Sequence, residues 1–171
     1  MKEENLYEPN CIKTFSGIYF SYLEMNPNTI QIEDIAHALS NIPRWMGHTK
    51  KFFSVAQHCC WCHDANIEPE DERLERLMHD ATEAYLGDCP SPLKSLLPAY
   101  KQLEEKLSFV IAKKYGFNYP YSANTKLVDR AALEIEWEDM RLEDRMEVWS
   151  PERAEKEFLQ RFNLHIKQSE K

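Results

Sequence analysis

Apolar residues recur at helical spacing from about Glu33 to near the end of the chain, which commits most of it to α-helices packed against one another. Ile32, Ile35, Ala36 and Leu39 form the first stripe, and Pro43 ends that element. Residues 51–66 predict a second helix and 70–86 a third, which Gly87 closes in the left-handed conformation. A loop, Asp88-Cys89-Pro90-Ser91-Pro92, and a short turn to Leu97 follow. Pro98 suits the first turn of the next helix, where its missing N–H costs nothing. Tyr100, Leu103, Leu107, Val110 and Ile111 supply that helix's buried face, and Gly116 stops it. A long helix is expected over about 123–147, and a last one opens at Ser150-Pro151-Glu152. Ahead of all this, Ile12, Phe15, Tyr19, Phe20 and Tyr22 flank Ser16-Gly17, which reads as a short β-hairpin over residues 11–22. With no repeat, no low-complexity stretch and no boundary signal, the expectation is one compact, mostly α domain over 1–171 with a short N-terminal β-hairpin.

Charge and composition remove several function classes. The formal net charge of −8 argues against nucleic acid or an anionic membrane as the main partner, since either needs a broad basic footprint. A small anionic substrate needs only a few local cations and stays open. Four glycines, at 17, 47, 87 and 116, leave no Gly-rich phosphate loop, so phosphate handling here needs cations or a metal. No apolar run follows Met1-Lys2-Glu3-Glu4-Asn5, and none reaches the roughly 18 residues of a membrane span, so a cytoplasmic location is expected. Five cysteines, three of them crowded into positions 59, 60 and 62, make a poor disulfide framework and fit that location.

The residues able to carry chemistry fall on three of the expected helices. His58 lies in Ser54-Val55-Ala56-Gln57-His58, His79-Asp80 in Leu77-Met78-His79-Asp80-Ala81-Thr82-Glu83-Ala84, and Asp129 in Lys126-Leu127-Val128-Asp129-Arg130. Glu83 follows His79 by four residues and Asp80 by three, so the three side chains can share a helix face. Two imidazoles and two carboxylates form a mixed N/O set suited to one divalent transition metal, Zn, Co or Mn, with open water positions. Such a metal lowers the pKa of bound water, and a carboxylate such as Glu83 can orient that nucleophile. Taken singly, His58 also reads as a structural or solvated histidine and Asp129-Arg130 as an exposed charged turn. The pair His79-Asp80 inside an apolar stripe is harder to place without a partner, because burying an ionised Asp alone is costly. Spacing alone leaves both readings open.

The phrases around these residues resemble the HD-domain phosphohydrolases, and more narrowly a small phage and prophage group acting on deoxynucleotides. Ile32 to Asn41, Ser54 to His58, His79 to Tyr85, Gly87 to Lys94 (with Pro92 inside it) and Leu97 to Tyr100 carry the resemblance, over roughly residues 12–140. It implies that His58, His79, Asp80 and Asp129 ligate the metal, and a second divalent ion could accompany the substrate phosphates. It further implies a phosphate-binding Arg44, a Trp45 packed on the sugar where a 2′-hydroxyl has little room, Glu83 handling the attacking water, and Asp88 near the sugar or leaving oxygen. Relatives of this kind act as 5′-deoxynucleotidases or as dATP triphosphohydrolases. Both cut the same 5′ ester of a small-molecule deoxynucleotide, and relatives commonly form homo-oligomers.

His48, Lys50 and Lys51 form a basic knot between Trp45 and His58, which reads equally as phosphate contact or as a solvated turn; Lys94 and Pro92 are further substrate-side candidates. Three rival readings remain. Cys59 and Cys62 have the C-x-x-C spacing of a structural zinc or redox pair, although mid-helix cysteines without a second ligand pair more simply act as small packing residues. The second rival is a binding domain that kept the fold without chemistry. The third is hydrolysis of another phosphoester, a cyclic nucleotide or an alarmone.

Overall fold

The computed structural model describes residues 8–142 and 146–169. Strands β1 (Cys11–Lys13) and β2 (Tyr19–Ser21) pair antiparallel with Ile12 opposite Phe20, forming the expected hairpin. Alternation along β2 turns Phe20 inward, where it is fully buried beside Tyr85. Helices α1 (Ile32–Asn41), α2 (Val55–Asp64) and α3 (Arg73–Met78) follow, and the short helices α4 (Glu83–Leu86) and α5 (Ser91–Lys94) lead to the longer α6 (Pro98–Tyr115), α7 (Ala123–Leu142) and α8 (Pro151–Ser169). The fold is mostly helical, as the periodicity requires. Among the described residues no helix is long and apolar enough to cross a membrane.

The core forms where the stripes of α1, α2, α3, α6 and α8 meet. Ile35, Ala36 and Leu39 of α1 bury against Ala154, Phe158 and Phe162, the i, i+4, i+8 stripe of α8. A smaller cluster of Cys62, Val128 and Ala132 sets α7 against α2. That packing decides the site, because it brings the first turns of α7 alongside His58.

Several boundaries differ from the sequence reading. The second helix starts at Val55 rather than at 51, because Pro43 and Ser54 form an antiparallel bridge and Arg44 N–H donates to Phe53 O at 2.8 Å. Ser54 then caps α2 by accepting from Gln57 N–H. The third element is not one helix over 70–86: after a 3-10 turn at Glu70–Glu72 and helix α3, residues 79–82 tighten into turns before α4. Amides 81 and 83 bond carbonyls 78 and 80, three residues back, so the helical ladder is locally interrupted. Gly87 has the expected positive φ of 79°, but its ψ of 158° is extended rather than left-handed helical. The left-handed helical conformation appears instead at Gly116, where α6 stops. The loop after Asp88 is shorter than expected, since Ser91 opens α5. The expected end of the long helix near 147 lies partly outside the described residues; Leu142 is its last described position, and 147–150 are not helical.

Candidate metal centre

Four atoms from three parts of the chain converge. His58 Nε2 lies 3.2 Å from His79 Nε2, 3.2 Å from Asp129 Oδ1 and 3.7 Å from Asp80 Oδ2. His79 Nε2 lies 3.3 Å from Asp80 Oδ2 and 3.5 Å from Asp129 Oδ1. Donors about 2.1 Å from a shared tetrahedral ion would stand about 3.4 Å apart, so these separations leave room for one shared ion.

The other nitrogen of each ring settles its tautomer. His79 Nδ1 is 2.8 Å from the carbonyl of Arg76, an atom that can only accept, so Nδ1 carries the hydrogen. His58 Nδ1 donates at 2.6 Å to Glu136 Oε1. In the neutral rings both Nε2 lone pairs therefore face the centre, the arrangement that outer hydrogen bonds impose on metal-binding histidines. Positive charge is favoured here. Burial opposes the charged form of His79, yet Asp80 and Asp129 hold its pKa well above the ordinary value. At His58 burial and Arg44 oppose it, and Cys62 and Asp129 outweigh them. The donors fit a cation: His58, Cys62 and His79, and likewise Cys59, His79 and Asp80, stand close enough together to bind a metal, with Asp129 beside both histidines.

Glu136 is the feature that sequence reasoning missed. It is fully buried on the inner face of α7, in line with Thr125, Val128 and Ala132. One oxygen accepts from His58; the other accepts from Arg44 Nε at 3.3 Å, Arg44 Nη2 at 3.1 Å and Trp45 Nε1 at 3.1 Å. Despite burial, His58 and Arg44 hold its carboxyl below the usual range. The available signal was its place seven residues after Asp129, at a position of the apolar stripe.

A cavity of about 290 Å³ opens beside Asp80 and Asp129. It is lined by Asp80, Asp129, Glu83, Arg44, Trp45 and Leu133, together with Asp88 of the loop after α4 and Pro92 and Lys94 of α5. His48 and Lys51 are exposed and do not line it. Glu83 is buried with Oε2 unpartnered; burial first, then the carboxylates of Asp80 and Asp88, push its pKa well above the ordinary value. Burial raises Asp88 in the same direction. Lys94 bonds Glu104 at 2.5 Å. Arg44 spends Nε and Nη2 on Glu136, leaving Nη1 3.7 Å from Asp80 Oδ2.

The cysteines do more than fill space. Cys62 Sγ sits 3.6 Å from His58 Nε2, and Cys59 clusters with His79 and Asp80. They border the same centre rather than forming a zinc knuckle of their own. Burial pushes the Cys60 thiol up to about 12.

No family model matches the chain. It is 49% identical over 133 residues to the uncharacterized protein YfdR of Escherichia coli (strain K12), an alignment covering 78% of this chain and 74% of that protein. The chain belongs to the same protein family as YfdR. An uncharacterized protein of Rhodobacter capsulatus is 34% identical over 128 residues, covering 70% of this chain and 65% of that one. A more distant, partial similarity links the chain to a 5′-deoxynucleotidase of Photobacterium profundum, 29% identical over 103 residues, 56% of this chain and 45% of the relative.

Proposed function

We propose that this protein is a metal-dependent phosphohydrolase of the HD type that cleaves the 5′ phosphate ester of deoxynucleotides. The observation that carries the reading is the convergence of His58, His79, Asp80 and Asp129, with both Nδ1 atoms engaged elsewhere so that both Nε2 atoms face the carboxylates. The partial similarity to a 5′-deoxynucleotidase supports the same chemistry. Those four residues would hold one divalent transition metal, which when bound supplies Lewis acidity toward water and a phosphate oxygen near neutral pH.

The remaining roles belong to the chain itself. Glu83, at the cavity wall with a raised pKa, holds or takes a proton at its unpartnered oxygen and so serves the attacking water. Arg44 presents Nη1 to the phosphate, and Lys94 adds a second cation across the cavity. Asp88 stands at the loop side, where the sugar oxygen departs. Trp45 forms the wall against the sugar and disfavours a 2′-hydroxyl.

Attack at the phosphorus bonded to the 5′ oxygen gives a deoxynucleoside and one intact phosphate chain: phosphate from a monophosphate, triphosphate from a substrate such as dATP. The test is a panel of deoxy- and ribonucleoside mono-, di- and triphosphates with Mn, Co or Zn added, products separated by chromatography. The expected result is deoxynucleoside without stepwise shortening. Successive loss of terminal phosphates, or equal rates on ribonucleotides, would overturn this pose; no hydrolysis of any member would overturn the reading itself.

A further inference from the structure

A second, larger cavity adjoins the first. It is an open groove of about 630 Å³ lined by Trp45, Leu133, Trp137, Arg130, Glu134 and Glu138. Trp45 and Leu133 line both cavities, so the two lie on either side of shared side chains. We propose that the Trp45–Trp137 groove is the seat of the nucleobase, an aromatic heterocycle stacked on tryptophan while its phosphate lies at the metal centre. This inference rests on the nucleotide-hydrolase reading above and adds to it a binding site on α7.

Three observations carry it. First, the indoles of Trp45 and Trp137 stand with centroids 5.6 Å apart and planes tilted by 37°. A ring sliding between them would need about 7 Å, twice a carbon contact distance, so the pair forms one angled wall for a planar ligand to lie against. Second, Trp137 is about half exposed (51%) although large and apolar, and Leu133, one turn earlier on α7, is 40% exposed beside it. Third, the backbone is strained to hold this wall. Trp45 and Met46 both adopt positive φ, 57° and 52°, in the left-handed region that side chains disfavour. Such conformations persist where the surroundings impose them, and the Trp45 indole is anchored here by its Nε1 hydrogen bond to Glu136. One buried carboxylate thereby fixes the base wall, Arg44 and the ligand His58 together.

The test uses the full chain and two readouts. One is quenching of tryptophan fluorescence by 2′-deoxyadenosine, which has no phosphate to hydrolyse. The other is the ratio of kcat/KM for deoxyadenosine monophosphate over deoxyribose 5-phosphate, which lacks the base. Trp137→Ala should weaken deoxyadenosine binding and lower that ratio, each about tenfold, the scale of one base stacked on an aromatic ring; Trp137→Phe should restore most of both. Base binding without hydrolysis would overturn the hydrolase reading and support the groove. Hydrolysis with the same ratio in wild type and Trp137→Ala would overturn the groove alone. A change of sedimentation coefficient in Trp137→Ala would assign the wall to a second copy of the chain and overturn it also.

Discussion

Replacing Glu136 by Gln should damage stability and metal binding together, for reasons visible in its contacts. Every neighbour of its two oxygens is a donor: His58 Nδ1, Arg44 Nε and Nη2, and Trp45 Nε1. Gln keeps one acceptor and turns an NH₂ toward donors, whichever way its amide is placed. Hydrogen bonds to a charged group contribute about 1.5–3 kcal/mol each, but these share atoms and do not add. The governing cost is stripping the buried Arg44 guanidinium of its bidentate partner, with only the looser Asp80 pairing at 3.7 Å left, about 3–5 kcal/mol. With a urea slope of about 2 kcal/mol/M, the midpoint should fall by about 2 M. Loss of the His58 hydrogen bond should also weaken metal affinity about 10- to 100-fold, the usual effect of removing such an orienting partner. Urea unfolding followed by circular dichroism reads the first effect, and competition against a chromogenic chelator reads the second. The double variant Arg44→Met, Glu136→Leu separates the causes. It removes both buried charges, so it should recover most of the lost stability while metal affinity stays low. Wild-type metal affinity in that double variant would refute the argument that Glu136 orients His58.

Three further outcomes follow from the same geometry. Metal at a hundred times its Kd should stabilise the chain by about 2.7 kcal/mol, and Asp80→Ala should abolish that gain in thermal unfolding. Glu83→Gln should lower turnover about 10²- to 10⁴-fold while metal content by elemental analysis stays at the wild-type level; loss of the metal would make Glu83 a ligand instead. At the far end of α2, burial works against the charge on Asp64, but His63 and Arg161 hold its pKa below the ordinary 3.8. A depressed carboxylate stabilises the fold above its unfolded pKa and loses that contribution as pH falls below it. Wild type should therefore exceed Asp64→Asn in urea midpoint at pH 7, with the gap narrowing below about pH 4. A gap that widens in acid would contradict the pairing.

How much of the molecule was legible in its sequence depends on whether the signal is local. The hairpin and the helices show in short-range periodicity, since the stripe that buries Ile35, Ala36 and Leu39 is written within one helix. The interruption at residues 79–82 was not legible, because the run from Leu74 to Tyr85 keeps a helical pattern through it. Likewise Val55 begins α2 because Pro43 pairs with Ser54, a contact between segments that no local window contains.

The sequence by itself determined that the chain is mostly helical and that His58, His79, Asp80 and Asp129 are the residue types able to hold a cation. Only the tertiary structure decided that the two histidine nitrogens meet each other and both carboxylates at 3.2–3.7 Å, because the meeting depends on how α2, the turn after α3 and α7 pack. It also decided the role of Glu136. In sequence that residue is one acid among 29 Asp and Glu. In the fold it faces inward, where an unpaired charge is costly, so the His58, Arg44 and Trp45 donors must converge on it.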